Sequence, residues 1–323
     1  MQISIGTFNL NNLFSRYNFK GEVNAIESNS TTVNSQISYE FTDKDVYRLR
    51  TFMGKLVKPK NIKNTQTIAD RILRMNVDVL AVQEVEDIDI LKQFNNEYLN
   101  GLYKYVILIE GNDPRLIDVG ILSKYPIGQI VSWQQAVHNS NPNKKVFGRD
   151  LLQVNILSKS REKKLFTIFN NHLKSQFVPF GQNKVKGTKS NNLRRKHQSE
   201  VIKSIVLSEM RPNSKFIILG DMNDSPKSAP LKPFVKDTNL DLFNALKSPK
   251  ETRPPKHDTP MPLTTAWTHR FKESGKPAKY ELFDQIWLSN SLKNKFVESW
   301  IDRRTKHKGD GSDHDPTWII LEL

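Results

Sequence analysis

The chain has 323 residues, no cysteine, and 49 Lys and Arg against 34 Asp and Glu, a formal net charge of +15. The missing cysteines exclude a disulfide framework, a thiolate metal site and a cysteine nucleophile. With 37% hydrophobic and 26% charged residues the composition is that of a folded globular protein, and the positive excess favours anionic ligands: nucleic acid, phospholipid head groups or phosphorylated small molecules.

The chain opens on a strand-type stretch at residues 3–10. Residues 15–64 are rich in Asn, Ser and Thr and are expected to form a polar, loop-rich elaboration with little regular structure. A helix is predicted at 66–75, with Ile68, Ile72 and Met75 on one face. The apolar run at 78–83 follows as a buried strand ending in Glu84. Strand, helix, buried strand is an α/β order. Further strands are predicted at 105–109, 119–123, 151–156, 165–170, 216–219, 283–289, 297–301 and 318–321, and a second helix at 193–210. Strands that follow each other without a helix, such as 151–156 and 165–170, imply hairpins and therefore mixed sheets. No linker or repeat divides the chain, so one domain over 1–323 is expected. No apolar run approaches the ~20 residues of a membrane-spanning helix. The N-terminal MQISIGTFNL shows no basic segment followed by an apolar one, so no signal peptide is visible. Cytoplasmic placement is preferred to secretion, and a monomer is expected.

Polar residues cluster where apolar strands end. VLAVQ runs into Glu84, LFTIF into Asn170, Asn171 and His172, and FIIL into Gly220, Asp221, Met222 and Asn223. Ser312, Asp313, His314 and Asp315 precede the last strand, and Asp284 lies inside LFDQIWL. A carboxylate in such a run is costly unless it is paired or holds a cation. Their recurrence predicts one site of carboxylates and histidines. Oxygen ligands without cysteine favour Mg²⁺, Mn²⁺ or Ca²⁺ over zinc.

Six motifs in order, TFNLNNL, DVLAVQEVE, NNHLKS, GDMND, FDQIWLS and SDHDP, resemble those of the endonuclease/exonuclease/phosphatase superfamily, the deoxyribonuclease-I-like phosphodiesterases. The resemblance spans residues 3–321. It implies an α/β fold, a four-layer αββα sandwich of two mixed sheets flanked by helices, with the site at one end of both sheets. It implies Glu84 as the direct Mg²⁺ ligand, with Mn²⁺ or Ca²⁺ as substitutes, and Asp313 as a contributor to the metal site directly or through water. It makes Asp221 the group that orients or deprotonates the attacking water, Asn223 a donor to a phosphoryl oxygen, and Asn9 a hydrogen-bonding member of the site. His172 and His314 are the acid–base pair, since imidazoles suit both roles near neutral pH. Asp284 is matched to His314 as its orienting carboxylate, and Asp118 is proposed for His172. Asn11 departs from the acidic residue of several nuclease branches and favours one metal over two. Arg149 matches a recurrent Arg before a strand, with a phosphate contact and a structural ion pair both open. Lys174 could reach a phosphate or remain solvated. The other histidines, His138, His197, His257, His269 and His307, read as surface residues.

Charge placement bears on the substrate. Residues 174–203 hold eight basic residues against one acidic, and residues 246–280 hold eight against three. Residues 292–308 add six against two. These stretches border the motifs and read as a track for a polyanion, with Arg194, Arg195, Lys196, Lys306 and Lys308 among its members. Trp267, Phe177, Phe180 and Phe271 are candidate stacking residues, or loop anchors. The expected partner is nucleic acid, DNA preferred to RNA, and the expected activity a Mg²⁺-dependent nuclease. A phosphodiesterase acting on a phospholipid head group or small phosphodiester is the alternative, and a non-catalytic nucleic-acid-binding module the second. Asp224-Ser225-Pro226 stands where inositol phosphatases carry an aromatic and a basic residue, which argues against that branch.

Overall fold

The structure, a computed structural model, describes residues 1–14, 19–28, 33–41, 51–52, 55–56, 60–237, 239–253, 262–304 and 310–323. Two large sheets stack face to face. The seven-stranded sheet runs in the order Lys250–Glu251, Phe296–Ile301, Thr317–Glu322, Gln2–Leu13, Val79–Val85, Asp118–Ser123, Tyr105–Leu108. The six-stranded sheet runs Phe243–Asn244, Asp284–Leu288, Phe216–Asp221, Lys164–His172, Leu151–Leu157, Ile127–Ser132. Both are mixed. Gln2–Leu13 is parallel to Val79–Val85, and Lys164–His172 is parallel to Phe216–Asp221, while their other main neighbours are antiparallel.

Strand alternation builds the layers. Ile3, Ile5, Val79 and Ala81 of one sheet meet Val154, Ile168, Ile217, Leu219 and Ile286 of the other in the central core. The intervening residues Phe8, Leu80 and Val82 pack outward against Ile68, Ile72 and Met75 of helix Ile62–Met75 and against Leu91 and Phe94 of helix Ile88–Glu97. Phe216 and Ile218 pack outward against Val201, Ile202, Ile205 and Val206 of helix Lys184–Glu209. Helix, sheet, sheet, helix is the expected four-layer sandwich.

Most strands lie within two residues of their predicted bounds. Residues 15–64 differ from expectation. They include strands Phe19–Ser28 and Val33–Phe41, paired antiparallel, with Val23 opposite Ile37 and Phe19 opposite Phe41. Phe19, Val23 and Ala25 in one strand and Val33, Ile37, Tyr39 and Phe41 in the other fall two or four places apart, a strand period that the overall polarity hid. Helix Ile88–Glu97 also went unforeseen. Asp87 caps it, accepting from Ile90 N at 2.8 Å. The long helix begins at Lys184 rather than 193 because Asn183 caps it, accepting from Lys186 N at 3.0 Å. Among the described residues, no helix is long and apolar enough to cross a membrane.

Candidate active site

The site forms where both parallel strand pairs end. In the second sheet His172 is registered with Asp221, and Asp221 with Asp284, so three site residues form one row across adjacent strands. Counting back by twos, Asp221 follows Leu219 and Ile217, and Asp284 precedes Ile286, so the row continues the core face into polar chemistry. A Cβ on Gly220 would lie 2.0 Å from the Asn171 carbonyl, and its φ is +125°, so only glycine fits between these strands. In the first sheet alternation brings Asn9 to the inner face but would turn Glu84 outward. A register break between Gln83 and Val85, with Glu84 at φ 61°, breaks that alternation. Asn11, Asn12 and Asn223 also have positive φ, at 48°, 60° and 52°. Such conformations are uncommon for residues other than glycine, and here they cluster at one site.

Four side-chain nitrogens surround Asp221 Oδ2. Asn9 Nδ2 donates at 3.0 Å and Asn223 Nδ2 at 3.1 Å. His172 Nε2 lies at 3.4 Å and His314 Nε2 at 3.8 Å. Asn223 N donates to the other oxygen at 2.8 Å. Burial pushes the Asp221 carboxyl up to about 7; Asp284 adds to this, while His314 and the donors from Asn223 and Asn9 oppose it. Asn223 Nδ2 also donates to Leu173 O at 3.1 Å, so both its hydrogens are engaged within the protein.

The two histidines differ. His314 Nδ1 donates to Asp284 Oδ2 at 2.7 Å. Burial alone would lower His314, but the Asp284 and Asp221 carboxylates hold it well above the ordinary imidazole value. His172 is pushed well below that value, first by burial and then by Arg149, His314, Arg115 and Lys174. Their surroundings therefore bias His314 toward its cationic form and His172 toward its neutral form. Asp118 is not the partner of His172. Its Oδ1 accepts from Gly111 N at 2.7 Å, and His172 Nδ1 has no hydrogen-bond partner among the described residues. Burial pushes Asp118 up to about 7, with Glu110, Asp113 and Asp150 adding to the shift.

Glu84, Asn12, Asn11 and Asp313 form a hydrogen-bonded chain at one corner of the site. Glu84 Oε1 lies 3.4 Å from Asn9 Nδ2 and 3.9 Å from His172 Nε2, and Oε2 accepts from Asn12 N at 3.1 Å. Asn11 Nδ2 donates to Asp313 Oδ1 at 3.0 Å. Two carboxylates suit a hard divalent cation, and the Asn11 amide oxygen, which accepts from Asn12 Nδ2 at 3.0 Å, would exchange that bond to join them. Lys60 tests that fit. Its ammonium donates to Asn11 O at 2.5 Å and is attracted by both Glu84 and Asp313, although burial lowers it to about 8. Burial outweighs the pull of the two carboxylates here, so the ammonium gives up its proton more readily than it would in water.

Several expected substrate contacts lie elsewhere. Trp267 is buried beneath the Arg303 guanidinium, 3.6 Å from its ring centroid, and offers no stacking face. Arg195 is buried, donating to Asp224 Oδ2 at 3.0 Å and to Lys174 O at 2.8 Å. Arg149 is buried against Asp113, Nε to Oδ2 3.2 Å, so its ion-pair reading is the one observed. Lys174 is half-buried beside His172 and is lowered to about 8 by burial and then by Arg149, Arg115 and Arg194. Arg194 is half-exposed, and Lys196 is exposed with Nζ 3.7 Å from Glu200 Oε1. His257, His307, Lys306 and Lys308 lie outside the described residues.

Four contributors were given no role from sequence. His269, read as a surface residue, bridges to the His314 backbone, stacks on Phe283 at 4.7 Å, and brings Nε2 to 3.7 Å from Asp313 Oδ2. Thr268 Oγ1 accepts from Asp284 N at 3.0 Å, and Ser312 Oγ donates to Asn9 O at 2.7 Å. The pairing of residues 269–271 with 279–281 sets His269 in place, and nothing in its immediate sequence shows that pairing. Lys60 left no signal in a polar stretch.

A four-layer sandwich with this polar row is the architecture of the deoxyribonuclease-I-like phosphodiesterases and nucleases, a superfamily of metal-dependent hydrolases. Within it, the chain belongs to the Endonuclease/Exonuclease/phosphatase family, whose model matches residues 7–314. No curated protein sequence matches it significantly. Solved structures share the fold at low identity. Truncated TDP2 of Caenorhabditis elegans is 15% identical with a TM-score of 0.57, the alignment covering 100% of this chain and 98% of that one. TDP2 of D. rerio, complexed with a single-strand DNA product, is 13% identical with a TM-score of 0.57, covering 100% and 99%. An AP endonuclease from Archaeoglobus fulgidus is 13% identical with a TM-score of 0.58, covering 99% and 100%.

Proposed function

We propose that the protein hydrolyses nucleic-acid phosphodiester bonds, those of DNA before RNA, with Mg²⁺ as its ion and Mn²⁺ or Ca²⁺ as substitutes. The convergence of Asn9, Asn223, His172 and His314 on Asp221 Oδ2 carries this reading. A phosphodiester is anionic and repels nucleophiles, so its attack needs a base surrounded by donors. Asp221 accepts the proton of the attacking water, and Asn9 and Asn223 fix the direction of its carboxylate. His314, kept cationic by Asp284, faces the charge that develops in the transition state and can give Nε2–H to an oxygen there. Neutral His172 orients on the same oxygen from the other side. Glu84, with Asn11 and Asp313 beside it, would hold the divalent cation, which supplies Lewis-acid stabilisation of the phosphoryl oxygens.

Polymer binding rests on a narrower set of charges than the sequence count suggests. Lys203 pairs with Asp237, Lys250 with Glu298, Arg253 with Asp302 and Lys276 with Glu273. Lys184, Lys186, Lys189 and Lys196 are exposed on the first half of the long helix, and Phe177 and Phe180 are exposed just before it. The single-strand DNA product bound by the D. rerio relative supports a nucleic-acid substrate. Binding is expected to fall linearly in log–log with salt, with a slope of about −0.9 per phosphate neutralised on a duplex or −0.7 on a single strand. Arg194→Gln with Lys196→Gln should flatten that slope and raise KM while leaving kcat nearly unchanged. A short model phosphodiester cleaved as well as a 20-residue oligonucleotide, on the order of equal kcat/KM, with no salt dependence, would instead indicate a small substrate.

A further inference from the structure

Three metal-competent side chains meet outside the catalytic row. His138 lies on the hairpin formed by Val137–His138 and Asn141–Lys145, and His197 and Glu200 lie three apart on helix Lys184–Glu209. Residues three apart share a helix face. His138 Nε2 is 2.9 Å from Glu200 Oε2, and its ring stacks on His197 with centroids 3.9 Å apart and planes 5° from parallel. A donor atom from each residue lies within 4.8 Å of the others, and all three are half-buried. A groove lined by Trp133, Val137, Asn139, Val201 and Ser204 opens beside them.

We propose that His138, His197 and Glu200 form a binding site for one borderline divalent ion, zinc in the first instance, separate from the corner at Glu84 and Asp313. Two imidazoles and one carboxylate are a donor set for zinc, nickel or copper, whereas magnesium takes oxygen. Zinc bonds of about 2.1 Å set tetrahedral donors roughly 3.4 Å apart. His138 and Glu200 already lie within that separation. His197 must turn, because an ion lies in the plane of each ring it binds and two near-parallel rings cannot share one. A half-exposed ring on a helix makes such turns within nanoseconds. The proton balance also closes. Ser140 N donates to His138 Nδ1 at 3.2 Å, which places the ring proton on Nε2, toward Glu200. On metal binding that proton leaves for solvent or moves to Nδ1, where Ser140 Oγ, at 2.7 Å, can accept it. Lys196 Nζ, 3.7 Å from Glu200 Oε1, leaves Oε2 to the ion. The bound ion would tie the hairpin to the helix.

The test uses the full chain, with cobalt(II) and zinc(II) as probes in excess magnesium. Wild type should bind one zinc equivalent more than His197→Ala, show tetrahedral cobalt absorption that the variant lacks, and gain thermal stability on zinc addition that the variant does not. Glu200→Gln keeps an acceptor for His138 Nε2–H and should still weaken zinc binding by more than the ~10–100-fold typical of losing an outer partner. It serves as the second variant if His197→Ala folds poorly. Equal zinc stoichiometry and equal thermal shifts in wild type and Glu200→Gln would overturn the site and leave the three residues as a packed, hydrogen-bonded cluster. Activity is not the readout, so failure here leaves the catalytic reading untouched.

Discussion

Glu84→Gln is expected to lower turnover by about a thousandfold or more, because it removes the charge proposed to hold the catalytic cation. Lewis-acid stabilisation is worth several kcal/mol, and each ~1.4 kcal/mol is a factor of ten in rate. The amide keeps an oxygen for Asn12 N, which Glu84 Oε2 holds at 3.1 Å, so the local turn should survive. Thermal stability without added metal should therefore change little, while the stabilisation that Mg²⁺ gives wild type should vanish. Activity assays and melting curves with and without Mg²⁺ check both halves. Full turnover at ordinary Mg²⁺ would remove Glu84 from the cation site.

His314→Ala is expected to cost about 10²–10⁴ in kcat, the scale of losing one acid–base group. Asp284→Asn should cost less and should also move the pH profile. Asp284 raises His314, so the folded imidazole stays protonated above its ordinary range and loses its proton, and its role, on the alkaline side. Without Asp284 that loss comes at lower pH, and the alkaline limb moves down. Asp221, pushed up to about 7 by burial with Asp284 adding, must be ionised to accept a proton. Its activity therefore rises with pH, and removing Asp284 moves this acid limb down too; a bound cation shifts it in the same direction. Both limbs of kcat/KM should move to lower pH together. A lower rate with an unmoved profile would make Asp284 a packing residue only.

The sequence made the ends of strands legible because apolar runs give way to polar residues at Glu84, at Asn170, Asn171 and His172, and at Asp221, and a polar cluster with His314 precedes the last strand. The same pattern could not show how Glu84 reaches the site, since alternation places it on the wrong face and only a local bulge corrects it. Trp267 and Arg195 show a different limit. Each lies in a basic stretch, yet burial depends on contacts distant in sequence. Arg195 was partly readable: it shares a helix face with Gln198, Ile202 and Ile205, all buried. Arg194 and Lys196, one residue to either side, turn away from that face. The Asp118 assignment failed because strand position gives a residue's address but not its hydrogen bonds. Asp118 is held by the loop amide of Gly111. His269 and Lys60 reach the site through tertiary contacts that leave no local period.

The central claim, metal-dependent cleavage of nucleic-acid phosphodiesters, is tested most directly by one digestion panel with Mg²⁺ and with EDTA. It should contain plasmid, single-stranded and duplex DNA, an abasic oligonucleotide, RNA, sphingomyelin and a phosphoinositide. Cleavage of at least one nucleic acid with Mg²⁺, abolished by EDTA and by Glu84→Gln, with both lipids intact, is the result expected. Release of a lipid head group with every nucleic acid intact, or nucleic-acid cleavage that EDTA leaves unchanged, would contradict it.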